Sequence, residues 1–134
     1  MKKIKLAWVF CLATMVGHAQ DDALKKTTDS LFNQGRIKYN NAKYEEAIGD
    51  FSAIIQLDGL HKNAILQRGF CYSLLKNFDA AITDFSTLIT SDPSHQWAYI
   101  SRGGAYNKIN EYQKAMADFD EAIRLKPEDA EAYN

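Results

Sequence analysis

RGFCYSLLKNFDAAITDFSTLITSDP, Arg68 to Pro93, returns 34 residues later as RGGAYNKINEYQKAMADFDEAIRLKP, Arg102 to Pro127. A weaker copy precedes both. Gly35, Ala47, Asp50, Phe51 and Ile55 stand 34 residues before Gly69, Ala81, Asp84, Phe85 and Ile89, and these stand 34 before Gly103, Ala115, Asp118, Phe119 and Ile123. Tyr44, Phe78 and Tyr112 add an aromatic at the same interval. A fixed period of this length marks a stack of supersecondary units, none of which can bury its apolar face alone. The functional question shifts accordingly, from which group is catalytic to what lies along the stack.

Within each copy the pattern is helical. Tyr44, Ala47-Ile48, Phe51 and Ile54-Ile55 form an apolar stripe at spacings of three, four and seven, as on one face of an amphipathic helix. The spacing predicts helices over Thr28–Asn41 and Tyr44–Leu57, then Asn63–Leu75 and Phe78–Thr90, then Gln96–Ile109 and Tyr112–Leu125. Asp58-Gly59 ends the first pair. Pro93 and Pro127 end the others, where a helix can start but not continue. No segment alternates with period two, so the chain reads as all-α.

Residues 1–19 stand apart. Lys2, Lys3 and Lys5 precede an apolar run from Leu6 to Val16, and Gly17-His18-Ala19 supplies the small residues of a cut after Ala19. That is the form of a secretory signal peptide of bacterial type. The run is about half of the ~20 apolar residues a spanning helix needs, so no stable membrane insertion is expected after cleavage. The expected location is the periplasm or the medium. Removing the segment leaves 13 Lys+Arg against 17 Asp+Glu, a formal net charge of −4. Nucleic acid is thereby disfavoured as a partner, since phosphate binding needs a basic stripe. Cys71 is then the only thiol. It lies between Phe70 and Tyr72 in a helical apolar pattern, as a small packing residue does.

These residues resemble the tetratricopeptide repeats. The match runs through Gly69, Tyr72, Phe78, Ala81, Phe85 and Pro93, and again through Gly103, Tyr106, Tyr112, Ala115, Phe119, Ala122 and Pro127. It weakens in the first copy, where Gln34, Lys38 and Gly59 replace arginine, tyrosine and proline. The resemblance implies an α-solenoid of stacked antiparallel helix pairs forming a right-handed superhelix. Its parts are a short leader over 20–27, repeats at 28–61, 62–95 and 96–129, and the start of a fourth at 130–134.

Two packing expectations follow from the residues. A glycine inside a helix costs about 1 kcal/mol relative to alanine. Gly35, Gly69 and Gly103 should therefore mark close helix approach within each unit, with Ala47, Ala81 and Ala115 as the small partners opposite. Phe51, Phe85 and Phe119 should fill the space between units. Asp50 has no arginine at the register of Arg68 and Arg102. Pairing across units, Arg68 with Asp50 and Arg102 with Asp84, accounts for that, because Gln34 then faces no acid. Pairing within a unit would leave Asp50 without a partner.

The resemblance also implies a concave face, lined by the first helix of each unit, that binds a protein or peptide segment. The matching positions are Phe32, Arg36, Tyr39 and Asn40, then Asn63, Leu66, Phe70 and Ser73, then Trp97, Ile100, Asn107 and Lys108. Phe32, Leu66 and Ile100 share one register and should form an apolar track flanked by Trp97 and Tyr39, with Arg36 and Lys108 as polar handles. The basic clamp of chaperone-binding repeats is broken here, by Phe32 and Arg36 and by Trp97 and Ser101. Catalysis finds no constellation. His61 and His95 sit in equivalent turns roughly 10 Å apart by helix-packing distances, too far to share a metal, and neither a metal nor a cofactor is expected. Phe119, Ala122 and Ile123 should be left bare at the C-terminal end, a face for a second copy or another molecule. The reading is an adaptor of the bacterial envelope that holds a partner in its groove. The alternative is an assembly or anchoring segment of a longer envelope protein.

Overall fold

The computed structural model describes the backbone of residues 2–126 and the side chains of residues 15–126. The fourth repeat expected at 130–134, and Pro127, lie outside these described residues. Six helices are described: α1 (Lys2–Asn40), α2 (Tyr44–Leu57), α3 (Lys62–Leu74), α4 (Phe78–Ser91), α5 (Gln96–Lys108) and α6 (Tyr112–Leu125). Each packs against the next in chain order, giving three antiparallel pairs in series. The bounds of α2 and α6 coincide with those expected, α4 and α5 differ by one residue at one end, and α3 by one residue at each end. Helix α1 differs more. It was expected to begin at Thr28 but continues without a break from Lys2. Between Gln20 and Thr28 there is neither proline nor glycine, and Asp21–Lys25 and Asp22–Lys26 have the spacing that favours a helix.

The turns repeat as faithfully as the helices. Ala42, Lys76 and Asn110, at 34-residue intervals, take φ of 57°, 61° and 64°. The amides of Lys43, Asn77 and Glu111 then donate to the carbonyls of Lys38, Tyr72 and Tyr106 at 2.9, 2.8 and 2.9 Å. These are Schellman closures, which satisfy the last carbonyls of the first helix. Between units the turn is set by Asp58 and Asp92, whose Oδ1 atoms accept from the amides of Leu60 and Ser94 at 3.2 and 3.3 Å. His61 and His95 have a definite task there. Each Nδ1 accepts from the amide three residues on, Ala64 at 3.1 Å and Ala98 at 3.2 Å, capping α3 and α5.

The core lies between units. Ala47, Phe51 and Ile54 of α2 meet Ala64 and Cys71 of α3; Ile65, Leu88 and Ala98 join units two and three. Burial pushes the Cys71 thiol up to about 11, consistent with a packing role. The partner opposite each glycine is not the alanine expected but the phenylalanine of the same unit. A Cβ on Gly35, Gly69 or Gly103 would lie 2.7, 2.5 or 2.8 Å from Cε1 of Phe51, Phe85 or Phe119. A flat ring stacked on bare backbone needs the missing Cβ; an alanine would not. Phe51 also packs with Ala64 and Cys71 of the next unit; Phe51 and Phe85 are fully buried, whereas Phe119 is 36% exposed.

The ionic expectation is also corrected. Arg68 donates from Nε to Asp84 Oδ2 at 2.8 Å and from Nη2 to Oδ1 at 2.7 Å. Arg102 grips Asp118 at the same distances. Both pairs lie within a unit, because the antiparallel partner helix puts its aspartate level with the guanidinium. What crosses to the preceding unit is the remaining nitrogen: Nη1 of Arg68 donates to Ser52 at 3.1 Å and that of Arg102 to Ser86 at 3.0 Å. Asp50 is served by Lys38, whose Nζ stands 2.7 Å from Oδ2 in an ion pair without the alignment of a hydrogen bond. Lysine one turn after Gln34 thus stands in for the arginine.

Candidate functional site: the concave face

Helix α3 touches α5 directly, closer than α4 approaches either α2 or α6. The stack therefore curves with α3 and α5 inside, and α1 holds the same place in unit one by the shared register. On α5, Gly103 faces Phe119 of α6, Ala98 packs with Leu88 of α4, and Arg102 reaches Ser86 and Asp118 on those two helices. The side left over carries Trp97, Ser101, Gly104 and Lys108, spaced four, three and four apart, which is one helical stripe. The corresponding stripe holds Asn63, Gln67, Phe70 and Leu74 on α3, and Asp29, Asn33, Arg36 and Asn40 on α1.

Of the residues expected in the groove, Arg36, Asn40, Asn63, Phe70, Trp97 and Lys108 lie on this stripe. Trp97 is 57% exposed. Phe32, Leu66, Ile100, Tyr39, Ser73 and Asn107 lie along one shoulder, and all but Asn107 are half-buried. The track of Phe32, Leu66 and Ile100 is thus not an open apolar floor. The Phe32 ring sits 5.6 Å from that of Phe51 and 5.8 Å from that of His61, and Leu66 packs against the second core cluster. Tyr39 meets Tyr44 at 5.6 Å, and its phenol is raised by burial first, then by Cys71 and Tyr44. It is as much a core residue as a flank.

Residues overlooked in the sequence are Leu74, 48% exposed, together with Asn33, Gln67 and Gly104. Their signal was the 34-residue register they share with residues that were named. The face offers several carboxamides, at Asn33, Asn40, Asn63, Gln67 and Asn107. Each has a donor and an acceptor able to pair with a peptide backbone. Arg36 and Lys108 are exposed and have no ion-pair partner among the described residues. Asp29, also exposed, is the one acid on the stripe.

Residues 63–95 and 97–129 each match the tetratricopeptide-repeat family. The fold is the same one seen in solved structures of that family. The second TPR of Spaghetti (RPAP3), bound to an HSP90 peptide, is 26% identical with a TM-score of 0.74, covering 81% of this chain and 99% of that one. The second TPR domain of human RPAP3, in complex with an HSP70 peptide, is 25% identical at a TM-score of 0.74, covering 78% and 88%. The type III secretion translocator chaperone SycD of Yersinia enterocolitica is 23% identical at 0.74, covering 81% and 84%. No curated protein sequence matches the chain. The chain belongs to the tetratricopeptide-repeat proteins. Unit one, which no family match reaches, joins the others on geometry: the same glycine–phenylalanine stack, the same left-handed turn, the same ion-paired aspartate.

Proposed function

We propose that the protein is an exported, non-catalytic adaptor whose concave face holds a segment of a partner polypeptide. The observation that carries this reading is the unfilled stripe on α1, α3 and α5: an exposed tryptophan, unpaired cations and carboxamides on the side that no helix covers. Surfaces that combine an aromatic anchor with an arginine and a polar surround are those that concentrate binding energy. Both of these structures of a second RPAP3 TPR domain hold a bound peptide, which supports the same use here. Export rests on residues 1–19, and among the described residues no helix is long and apolar enough to cross a membrane. Cleavage after Ala19 would leave α1 to begin at Gln20.

Photo-cross-linking from position 67 in the native host tests the groove. A specific partner adduct that disappears in Trp97→Ala is the expected result; an adduct indifferent to Trp97, Arg36 and Lys108 would refute it. Amino-terminal sequencing of the same material tests export, with Gln20 expected first and an intact Met1 the contrary result.

A second reading is favoured by α6, whose outer side exposes Met116 at 58%, Ile123 at 49% and Phe119 at 36%. Ala122, expected beside them, is buried instead, since it faces α5, where its carbonyl accepts from Gln96 at 3.0 Å. In that reading this end docks in an assembly of the envelope, with a second copy or a larger partner. Sedimentation of wild type against Met116→Lys separates the two: a monomer in both leaves no self-association to explain.

A further inference from the structure

Gly104 is a glycine that the fold does not need. Its neighbour Gly103 is required, because a Cβ there would lie 2.8 Å from Phe119, but a Cβ on Gly104 would meet nothing within 4 Å. No glycine among the described residues takes a positive φ, so backbone conformation does not call for it either. In the interior of α5 it costs about 1 kcal/mol relative to alanine, with no packing to offset that.

The other units show what the position otherwise holds. Arg36, Phe70 and Gly104 share one register. In unit two the Phe70 ring lies 5.7 Å from that of Phe85, tilted by 56°, and Phe85 is fully buried. In unit three the glycine leaves the place of that ring without a side chain. Trp97 stands two turns before the vacancy on the same stripe, 57% exposed, and Lys108 stands one turn after it. Ser101, between them, turns its hydroxyl back onto the Trp97 carbonyl at 2.7 Å and does not fill the space. Arg36 and Lys108 are the cations of the stripe, and neither has an ion-pair partner among the described residues.

We propose that the notch at Gly104, between Trp97 and Lys108, is a specificity pocket for one aromatic side chain on an acidic segment of the partner. The ring takes in unit three the place that Phe70 takes in unit two, and the neighbouring acid meets Lys108. This rests on the groove reading and narrows it to a ligand chemistry. Gly49 is the internal control. A Cβ there would also meet nothing within 4 Å, but it lies exposed on α2, away from the stripe.

The test pans a random dodecapeptide library displayed on phage against the full-length chain. Labelled winners are then titrated by fluorescence anisotropy against wild type, Gly104→Phe, Trp97→Ala and Gly49→Ala. The expected winners share a single aromatic residue beside Asp or Glu. Their Kd should rise at least ~10-fold in Gly104→Phe and in Trp97→Ala, about 1.4 kcal/mol, and stay within about twofold in Gly49→Ala. Changing the peptide's aromatic residue to alanine should cost the same factor. Circular dichroism checks that Gly104→Phe folds; if it does not, Gly104→Leu, which fills the notch with a strong helix former, replaces it with the same expected loss. Winners without an aromatic, or with undiminished affinity for the filled notch, overturn the pocket. The groove itself survives that outcome if Arg36→Glu or Lys108→Glu still weakens them. Failure to enrich any peptide, or indifference to all of these changes, overturns both.

Discussion

Replacing three glycines by alanine, one at a time, should change stability with opposite signs. Each substitution gains about 1 kcal/mol of helix propensity, so the difference lies in what the new methyl group meets. At Gly69 the Cβ would sit 2.5 Å from Phe85 Cε1, and the ring would have to retreat by roughly 1 Å to reach ordinary contact. Phe85 is fully buried, with the Phe70 ring 5.7 Å away on one side. Overpacking of that kind costs about 1–3 kcal/mol, so Gly69→Ala should lose about 1 kcal/mol net. At Gly103 the contact is 2.8 Å, but the opposing Phe119 is 36% exposed and has room to swing out; the two effects should nearly cancel. At Gly104 nothing lies within 4 Å, and Gly104→Ala should gain about 1 kcal/mol. Urea and thermal denaturation followed by helical circular dichroism measure all three, with melting temperature moving by about 4 °C per kcal/mol for a chain of this size. Destabilisation by Gly104→Ala, or stabilisation by Gly69→Ala, would refute the ring-on-backbone packing.

A double-mutant cycle on Arg68 and Asp84 should give a coupling of at least about 1 kcal/mol, and a cycle on Arg68 and Asp50 none. Arg68→Ala alone strands a carboxylate whose side chain is 5% exposed, at a cost toward the lower end of ~3–5 kcal/mol. Between pH 9 and 11, wild type should lose more stability than Cys71→Ala. The fold holds the thiol neutral with its pKa raised to about 11, so this contribution is whole below the ordinary thiol value and fades as pH climbs through the folded one; parallel curves in thermal melts would contradict it. Gly59→Pro should raise the melting temperature, by the equivalent of about 0.4–1 kcal/mol. Asp58 already has the extended backbone (φ −135°, ψ 95°) that precedes proline, as Asp92 has before Pro93; a lower melting point would show that the two turns differ.

The groove was legible only in part. Registers told which residues share a stripe, and Trp97, Arg36 and Lys108 are where those registers put them, open to solvent. The registers did not tell how far a ring leans. Phe32 and Phe70 turn onto Phe51 and Phe85, and Tyr39 onto Tyr44, because tilted and edge-on ring pairs across a helix pair are favourable. Gly104 drew no notice because the glycine beside it matched the repeat.

What the sequence determined by itself was everything carried by periodicity. A 34-residue recurrence, three- and four-residue apolar spacing, and Asp-Pro or Asp-Gly stops set the number of units and most helix ends, since these follow from backbone geometry within one element. Tertiary structure decided the pairings across elements. Arg68 had two aspartates in register, Asp50 and Asp84, and only the antiparallel crossing of α3 on α4 put one of them level with its guanidinium. Gly69 had an alanine and a phenylalanine in register opposite, and only the depth of the approach selected the ring. A repeat offers each side chain the same partner in every unit, so spacing cannot say which copy it reaches; distance can.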